Sequence, residues 1–231
     1  MTTPTHVQRV GHRGSAGHEP ENTLRSFENA IALGCDAAEC DVRLTRDRVP
    51  VVIHDATVNS ATGGNGEIRG MTLANLRTFR IGDQHIPTLA EVLACVKGRM
   101  RIILELKEKR ITRDVLRVVT QADMLGDTVF SSFAHQDLWT IRVKNRHAQI
   151  GLLFSRLTRS FFRVPFIVGK AKVFGAREVH VDYHIISPEL IQRAHDARVR
   201  VFAWTVNEPE DIEKLKIMGI DGIMSDYPER I

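Results

Sequence analysis

Apolar positions recur along this chain with two periods. Short runs rich in β-branched residues fall at 7–11, 35–42, 49–54, 101–107, 127–132, 148–154, 178–183, 199–204 and 221–226. Between them lie stretches with helical spacing. Leu24, Phe27 and Ile31 share one face and stop at Gly34, and Val115, Val118, Val119 and Leu125 precede Gly126. Leu190, Ile191 and Ala194 follow Ser187-Pro188, a cap and first-turn pair, and Ile212, Leu215 and Met218 run from Asn207-Glu208-Pro209 to Gly219. Strand then helix, repeated about eight times, predicts an α/β fold with a parallel sheet. With 231 residues the (β/α)8 TIM barrel is favoured over an open doubly wound sheet. Residues 55–90, rich in Gly, Asn and Thr, break the rhythm and predict an insertion over one end of the barrel, within a single domain spanning 1–231. Its glycines lack the Gly-Lys-Ser/Thr ending of a phosphate loop.

Composition narrows the function classes. Apolar residues are 43% and charged residues 26%, as in a soluble globular protein, and no apolar run is long enough to span a bilayer. MTTPTHVQRV lacks the basic start and apolar stretch of a secretory leader, and Cys35, Cys40 and Cys95 have no metal spacing, so reduced thiols and a cytoplasmic location are expected. A net charge of +4 is too weak to point to nucleic acid but suits an anionic small substrate.

The strand alternation carries the chemistry. Glu39 and Asp41 are two apart and share a face, with Ala38, Cys40 and Val42 on the other, suited to packing under helices. Glu105 and Lys107 are likewise opposed to Ile102, Leu104 and Leu106. Three carboxylates then converge inside the barrel, where they repel one another and lose hydration. A divalent cation would offset both costs, and hard oxygen ligands select Mg²⁺ or Ca²⁺; an inner salt-bridge network with Lys107 and Arg13 is the alternative. His12 directly follows the first apolar run, and His54 ends the third. Two histidines, two cations and a carboxylate trio at one mouth suit phosphodiester hydrolysis: metal and cations bind an anionic oxygen, one histidine takes a proton and the other gives one.

These residues resemble the glycerophosphodiester phosphodiesterases nearly end to end. His12-Arg13-Gly14, Pro20-Glu21-Asn22-Thr23, Glu39-x-Asp41, His54-Asp55, Glu105-x-Lys107, Trp204-Thr205-Val206-Asn207 and Gly222-Ile223-x-Ser225-Asp226-x-Pro228 stand in family order. The resemblance implies a (β/α)8 barrel with a small insertion after the second strand, matched to 55–90, a metal held by Glu39, Asp41 and Glu105, His12 and His54 as the acid–base pair, phosphate on Arg13 and Lys107, and Trp204 lining the pocket. The reaction implied is release of sn-glycerol 3-phosphate and an alcohol from a small phosphodiester. Lysophospholipase D chemistry at a membrane is the first alternative, and an inactive barrel that binds a phosphodiester or a protein is the second. Asn22 or Thr23 can cap the first helix, and Glu21 can buttress the site. Ser60-Ala61 stand where the family often has Arg-Thr, and Ser225-Asp226 where it often has Thr-Asp. His180 and Asp182 share a strand face, which gives His180 a structural or pocket-lining role.

Residues 154–177 crowd Phe154, Phe161, Phe162, Phe166 and Phe174 together with six Arg or Lys and no acid. That composition suits peripheral contact with anionic headgroups, or else a long helix with a packed apolar face and a solvated basic one.

Overall fold

The computed structural model describes residues 6–157 and 163–231. Eight parallel strands close a barrel: β1 (Gln8–Gly11) pairs with both β2 (Ala37–Leu44) and the last strand. After β2 come β3 (Pro50–Val52), α2 (Asn59–Thr62), α3 (Leu73–Leu76), β4 (Arg80–Ile81), β5 (Gln84–His85) and α4 (Leu89–Val96); α1 (Leu24–Ala32) links β1 to β2. The remaining staves and helices alternate: β6 (Arg101–Leu106), α5 (Thr112–Gln121), β7 (Thr128–Ser132), α6 (His135–Lys144), β8 (Gln149–Phe154), α7 (Arg163–Phe174), β9 (Glu178–Asp182), α8 (Pro188–Asp196), β10 (Arg200–Trp204), α9 (Pro209–Ile217) and β11 (Gly222–Ser225). The staves neighbour one another in the order β1, β2, β6, β7, β8, β9, β10, β11. Among the described residues no helix is long and apolar enough to cross a membrane.

The alternation divides each stave as the sequence predicts. Ala38, Cys40 and Val42 of β2 and Ile102, Leu104 and Leu106 of β6 join the main core under the helices. Inside the barrel, Val10, Ala37, Ile103, Val129, Phe202 and Met224 form a separate apolar plug. Gly151 belongs to this interior, because a Cβ there would lie 2.5 Å from the His180 ring. Two helix starts show the capping chemistry clearly. Ser187 accepts from the Leu190 N–H with Pro188 in the first turn, and Thr88 and Glu91 form a reciprocal box.

One element departs from the expectation. The 49–54 run is not a stave: β3 runs antiparallel to β2, with Val42 opposite Val52 and Leu44 opposite Pro50. The insertion therefore begins directly after β2, near residue 45 rather than 55. The reason is connection length. Only 45–49 join the two strands, with the Arg48 N–H donating to Thr45 O at 3.0 Å, and a parallel crossover needs about a dozen residues or more. The insertion has its own small core of Val51, Ile53, Val58, Ile68, Leu76, Ile81 and Ile86.

Beneath the plug, Glu178 is 2% exposed and is paired with Arg200 and with Arg101 at 3.1 Å. Burial alone would raise its carboxyl; the hydrogen bond and charge of His180, with Arg200 and Arg101, hold it at about 2. A depressed folded pKa contributes stability that is complete above the ordinary value of 4.5 and is lost as pH falls towards 2. The contribution is on the order of 3 kcal/mol. We expect Glu178→Gln to lower the urea midpoint at neutral pH and to flatten the midpoint's decline across that acid window. Parallel curves for the two proteins would assign the acid sensitivity elsewhere.

Candidate active site

The mouth of the barrel is built around a left-handed kink. Arg13 has φ 49° and Gly14 has φ 88°, so the chain curls immediately after β1 and turns both His12 and Arg13 into the cavity. A side chain at Gly14 would be strained in that conformation, and its Cβ would lie 2.2 Å from Ser26 Oγ. The strain at Arg13 is held by its carbonyl, which accepts from the Asn22 N–H at 3.0 Å and from Ser26 Oγ at 2.8 Å. Thr23 is the helix cap, accepting from the Ser26 N–H. Asn22 instead donates to Asp41 Oδ2 at 2.8 Å.

The three inward acids meet as the alternation requires. Glu39, Asp41 and Glu105 each present an oxygen within 4.8 Å of the others. Their environments differ. Burial and the charges of Asp41 and Glu105 push Glu39 well above the usual carboxylate range, against the pull of Arg13. Burial would raise Asp41 too, but Lys107, Arg13 and Asn22 hold it below its ordinary value. Lys107 Nζ stands 2.8 Å from Glu105 and 3.4 Å from Asp41, and Arg13 Nε stands 3.2 Å from Asp41. Glu21 pairs with Arg13 Nη1 at 2.7 Å. Two cations thus face three clustered acids. Among the described residues, Glu39, buried, accepts a single hydrogen bond, from the Arg13 N–H at 3.2 Å. Three hard oxygen donors and a repelled buried carboxylate are a donor set that a divalent cation fits.

Each histidine is oriented by an aspartate. His12 donates from Nδ1 to Asp226 Oδ1 at 2.7 Å, which leaves Nε2 facing Glu39 at 4.0 Å. Asp226 is fixed in turn by Asn207, whose amide donates to Oδ2 at 2.7 Å and whose Oδ1 accepts the Asp226 N–H at 2.9 Å. Burial would raise Asp226; the bond and charge of His12, then Asn207, hold it down. His54 donates from Nδ1 to Asp55 Oδ1 at 2.8 Å, and Ser60 bonds the other oxygen of that carboxylate. Ser60 stands where the resembling family often has Arg, and here it serves His54 through Asp55. His54 does not end a barrel stave. It arrives from β3, which runs back down β2 until the Ile53 N–H reaches Asp41 O at 3.0 Å. Asp55 and Asp226 are the roles that sequence reasoning missed. An acid beside His54 in the chain was the available signal for the first, whereas Asp226 is over two hundred residues from His12.

His12, Arg13, Glu39, His54, Glu105, Lys107 and Trp204 line one cavity of about 180 Å³, with Asp41 buried behind them. Trp204 Nε1 is buried and has no hydrogen-bond partner among the described residues. Phe133, half exposed, meets Trp204 edge to face at 5.7 Å. His180 lines the cavity and is tied to Ser131 at 3.0 Å and to Glu178 at 3.3 Å.

A sequence model described as the Glycerophosphoryl diester phosphodiesterase family matches residues 12–230. The chain belongs to the glycerophosphoryl diester phosphodiesterase family. It is similar to a glycerophosphodiester phosphodiesterase of Caldanaerobacter subterraneus, at 31% identity over 96% of this chain and 95% of the relative. Among solved structures, a glycerophosphodiester phosphodiesterase from Thermotoga maritima is 29% identical with TM-score 0.84, over 97% of this chain and 96% of that one. A phosphodiesterase from Oleispira antarctica in complex with the product sn-glycerol-3-phosphate is 27% identical with TM-score 0.87, over 97% and 94%. As a member of this family the chain is a phosphoric diester hydrolase, and the barrel and its insertion are those of the glycerophosphoryl diester phosphodiesterase fold.

Proposed function

We propose that this chain hydrolyses glycerophosphodiesters to sn-glycerol 3-phosphate and an alcohol, with His12 and His54 as the acid–base pair. The observation that carries the reading is the pair of histidines, each with Nδ1 committed to an aspartate and Nε2 left for proton transfer, beside a carboxylate trio in one cavity. Arg13 and Lys107 would grip the phosphate oxygens, and the free N–H of Trp204 would meet a substrate oxygen at the wall. Glu39, Asp41 and Glu105 would hold Mg²⁺ or Ca²⁺, which when bound supplies Lewis acidity to the phosphoryl group and relieves the acids' mutual repulsion. One Nε2 accepts the proton of the attacking hydroxyl, whether of water or of the substrate's own glycerol, and the other donates to the departing alkoxide. The aspartates keep each ring in the required tautomer and stabilise its cationic form. The relative described with sn-glycerol-3-phosphate bound supports the choice of product.

A second reading, cleavage of lysophospholipids, is favoured by the aromatic wall of Phe133 and Trp204, which could take an acyl chain. Steady-state rates with glycerophosphocholine, glycerophosphoethanolamine and lysophosphatidylcholine separate the two. We expect sn-glycerol 3-phosphate from the first two substrates and a lower kcat/KM for the third. A higher kcat/KM for the third would favour the lipid reading, and no cleavage of any diester would overturn both.

A further inference from the structure

From Leu138 to Arg177 the chain carries nine Lys or Arg and no acid, so this stretch alone outweighs the net +4 of the whole chain. Among the described residues, none of these cations lies within ion-pair distance of a carboxylate, whereas ion pairs recur from His6 to Lys216 elsewhere. The same region holds most of the uncovered apolar surface. Of the seven large apolar side chains that the described residues leave exposed, six are Phe133, Trp139, Val143, Leu157, Phe166 and Val173. Single exposed apolar residues are ordinary; six on two neighbouring helices and their leading loops are not.

The two helices present these residues together. Trp139 of α6 meets Phe174 of α7 edge to face at 5.9 Å, and Lys170 lies over both Phe166 and Phe174 at 5.3 and 5.7 Å. Val143 and Val173, 70% and 73% exposed, extend the face towards the lower ends of the helices. There, a hollow of about 330 Å³ is lined by Arg142, Arg146, His147 and Arg177 with no acid. At the upper end, Leu157 follows β8 and Phe133 follows β7, where Phe133 also lines the catalytic cavity. The face therefore runs from the rim of the mouth down one flank. Part of the expectation drawn from 154–177 is corrected: Phe154 is buried in the barrel wall, and Phe161 and Phe162 lie outside the described residues. The larger part of the surface comes from α6.

We propose that the α6–α7 flank docks on an anionic phospholipid bilayer, with the rim at Phe133 and Leu157 against it. Uncompensated cations interleaved with exposed Trp, Phe, Val and Leu match a surface that is negative at the headgroups and apolar just below. The hollow between the helix ends suits a phosphate headgroup. A second copy of this chain is a poor occupant, because a two-fold contact would set Arg and Lys against themselves, and Asp137, the one acid of the two helices, is turned towards Lys109 and the Arg110 backbone. Nucleic acid would use the cations but leave the aliphatic side chains without a role.

Vesicle co-sedimentation of the full chain tests this independently of the proposed hydrolysis. At low salt the protein should pellet with phosphatidylcholine vesicles containing about one-third phosphatidylglycerol and not with phosphatidylcholine alone. The double variant Val143→Asp/Val173→Asp, and separately Arg146→Glu/Lys172→Glu, should each lower partitioning roughly tenfold or more while thermal unfolding stays near the parent's. Absence of binding to the anionic vesicles would overturn the proposal, as would equal binding to both vesicle types. Dimerisation abolished by the aspartate pair would assign the face to self-association instead. Polyanion binding lost only in the glutamate pair, with vesicle binding unchanged, would assign it to nucleic acid.

Discussion

Exhaustive chelation is expected to abolish phosphodiester hydrolysis, and Mg²⁺ or Ca²⁺ to restore it. The expectation rests on charge. Glu39, Asp41 and Glu105 are clustered, Lys107 and Arg13 set two permanent cations against the three acids, and burial drives Glu39 far above its ordinary range. The same geometry gives a signature that activity alone does not. In the metal-free protein burial, Asp41 and Glu105 disfavour the ionised form of Glu39, so Glu39→Gln should raise the unfolding midpoint of that form. A change of 1 kcal/mol moves the midpoint of a domain this size by about 2–4 °C. The variant should nevertheless lose about 10²-fold or more in kcat, as removal of one charged stabiliser typically does, and added metal should no longer raise its midpoint. Full activity after chelation, with metal content verified by elemental analysis, would refute the cation site. A metal-free variant that melts below its parent would refute the charge argument.

His12→Ala and His54→Ala should each lower kcat by about 10²-fold or more with the fold intact, the usual contribution of a general acid or base. Their aspartates should behave differently from one another. Asp226 is half buried and braced by Asn207, so Asp226→Asn offers one carbonyl oxygen to two N–H donors, His12 and Asn207, removes the charge that favours the imidazolium, and should approach the effect of removing the ring itself. Asp55 is more exposed and depends on Ser60, so Asp55→Asn should cost less. Thermal unfolding near the parent's would confirm that each loss is chemical. Near-parental kcat in either alanine variant would remove that histidine from the mechanism.

Much of this arrangement was legible because a strand's alternation is a strong constraint. With Ala38, Cys40 and Val42 committed to the helices, Glu39 and Asp41 had nowhere to point but inward, and Lys107 beside Glu105 followed the same logic. The direction of β3 was hidden, since an apolar run reads alike in either direction. The five-residue connection at 45–49 was the clue, because it is too short for a crossover. Asn22 and Thr23 are both good caps by chemistry, and only the left-handed backbone at Asn22, φ 59°, turns its amide towards Asp41. Asp226 was unreadable for a different reason. The partner of a histidine across the barrel is fixed by closure of β11 on β1, a property of the whole ring of strands.

The position of His54 just beyond β3 limits how this enzyme can be altered. Seven cavity-lining residues proposed or expected to act in the site include one, His54, that travels with the insertion rather than with the barrel. Exchanging the insertion as a unit would also exchange His54, the proposed acid or base. A one-residue slip of β3 along β2 would turn its alternation over and aim the imidazole away from the cavity. The insertion and one of the two proposed proton-transfer groups are therefore inherited as one block. New selectivity would have to come from changes beyond Asp55 that keep the pairing of Val42 with Val52, or from the barrel wall around Phe133 and Trp204.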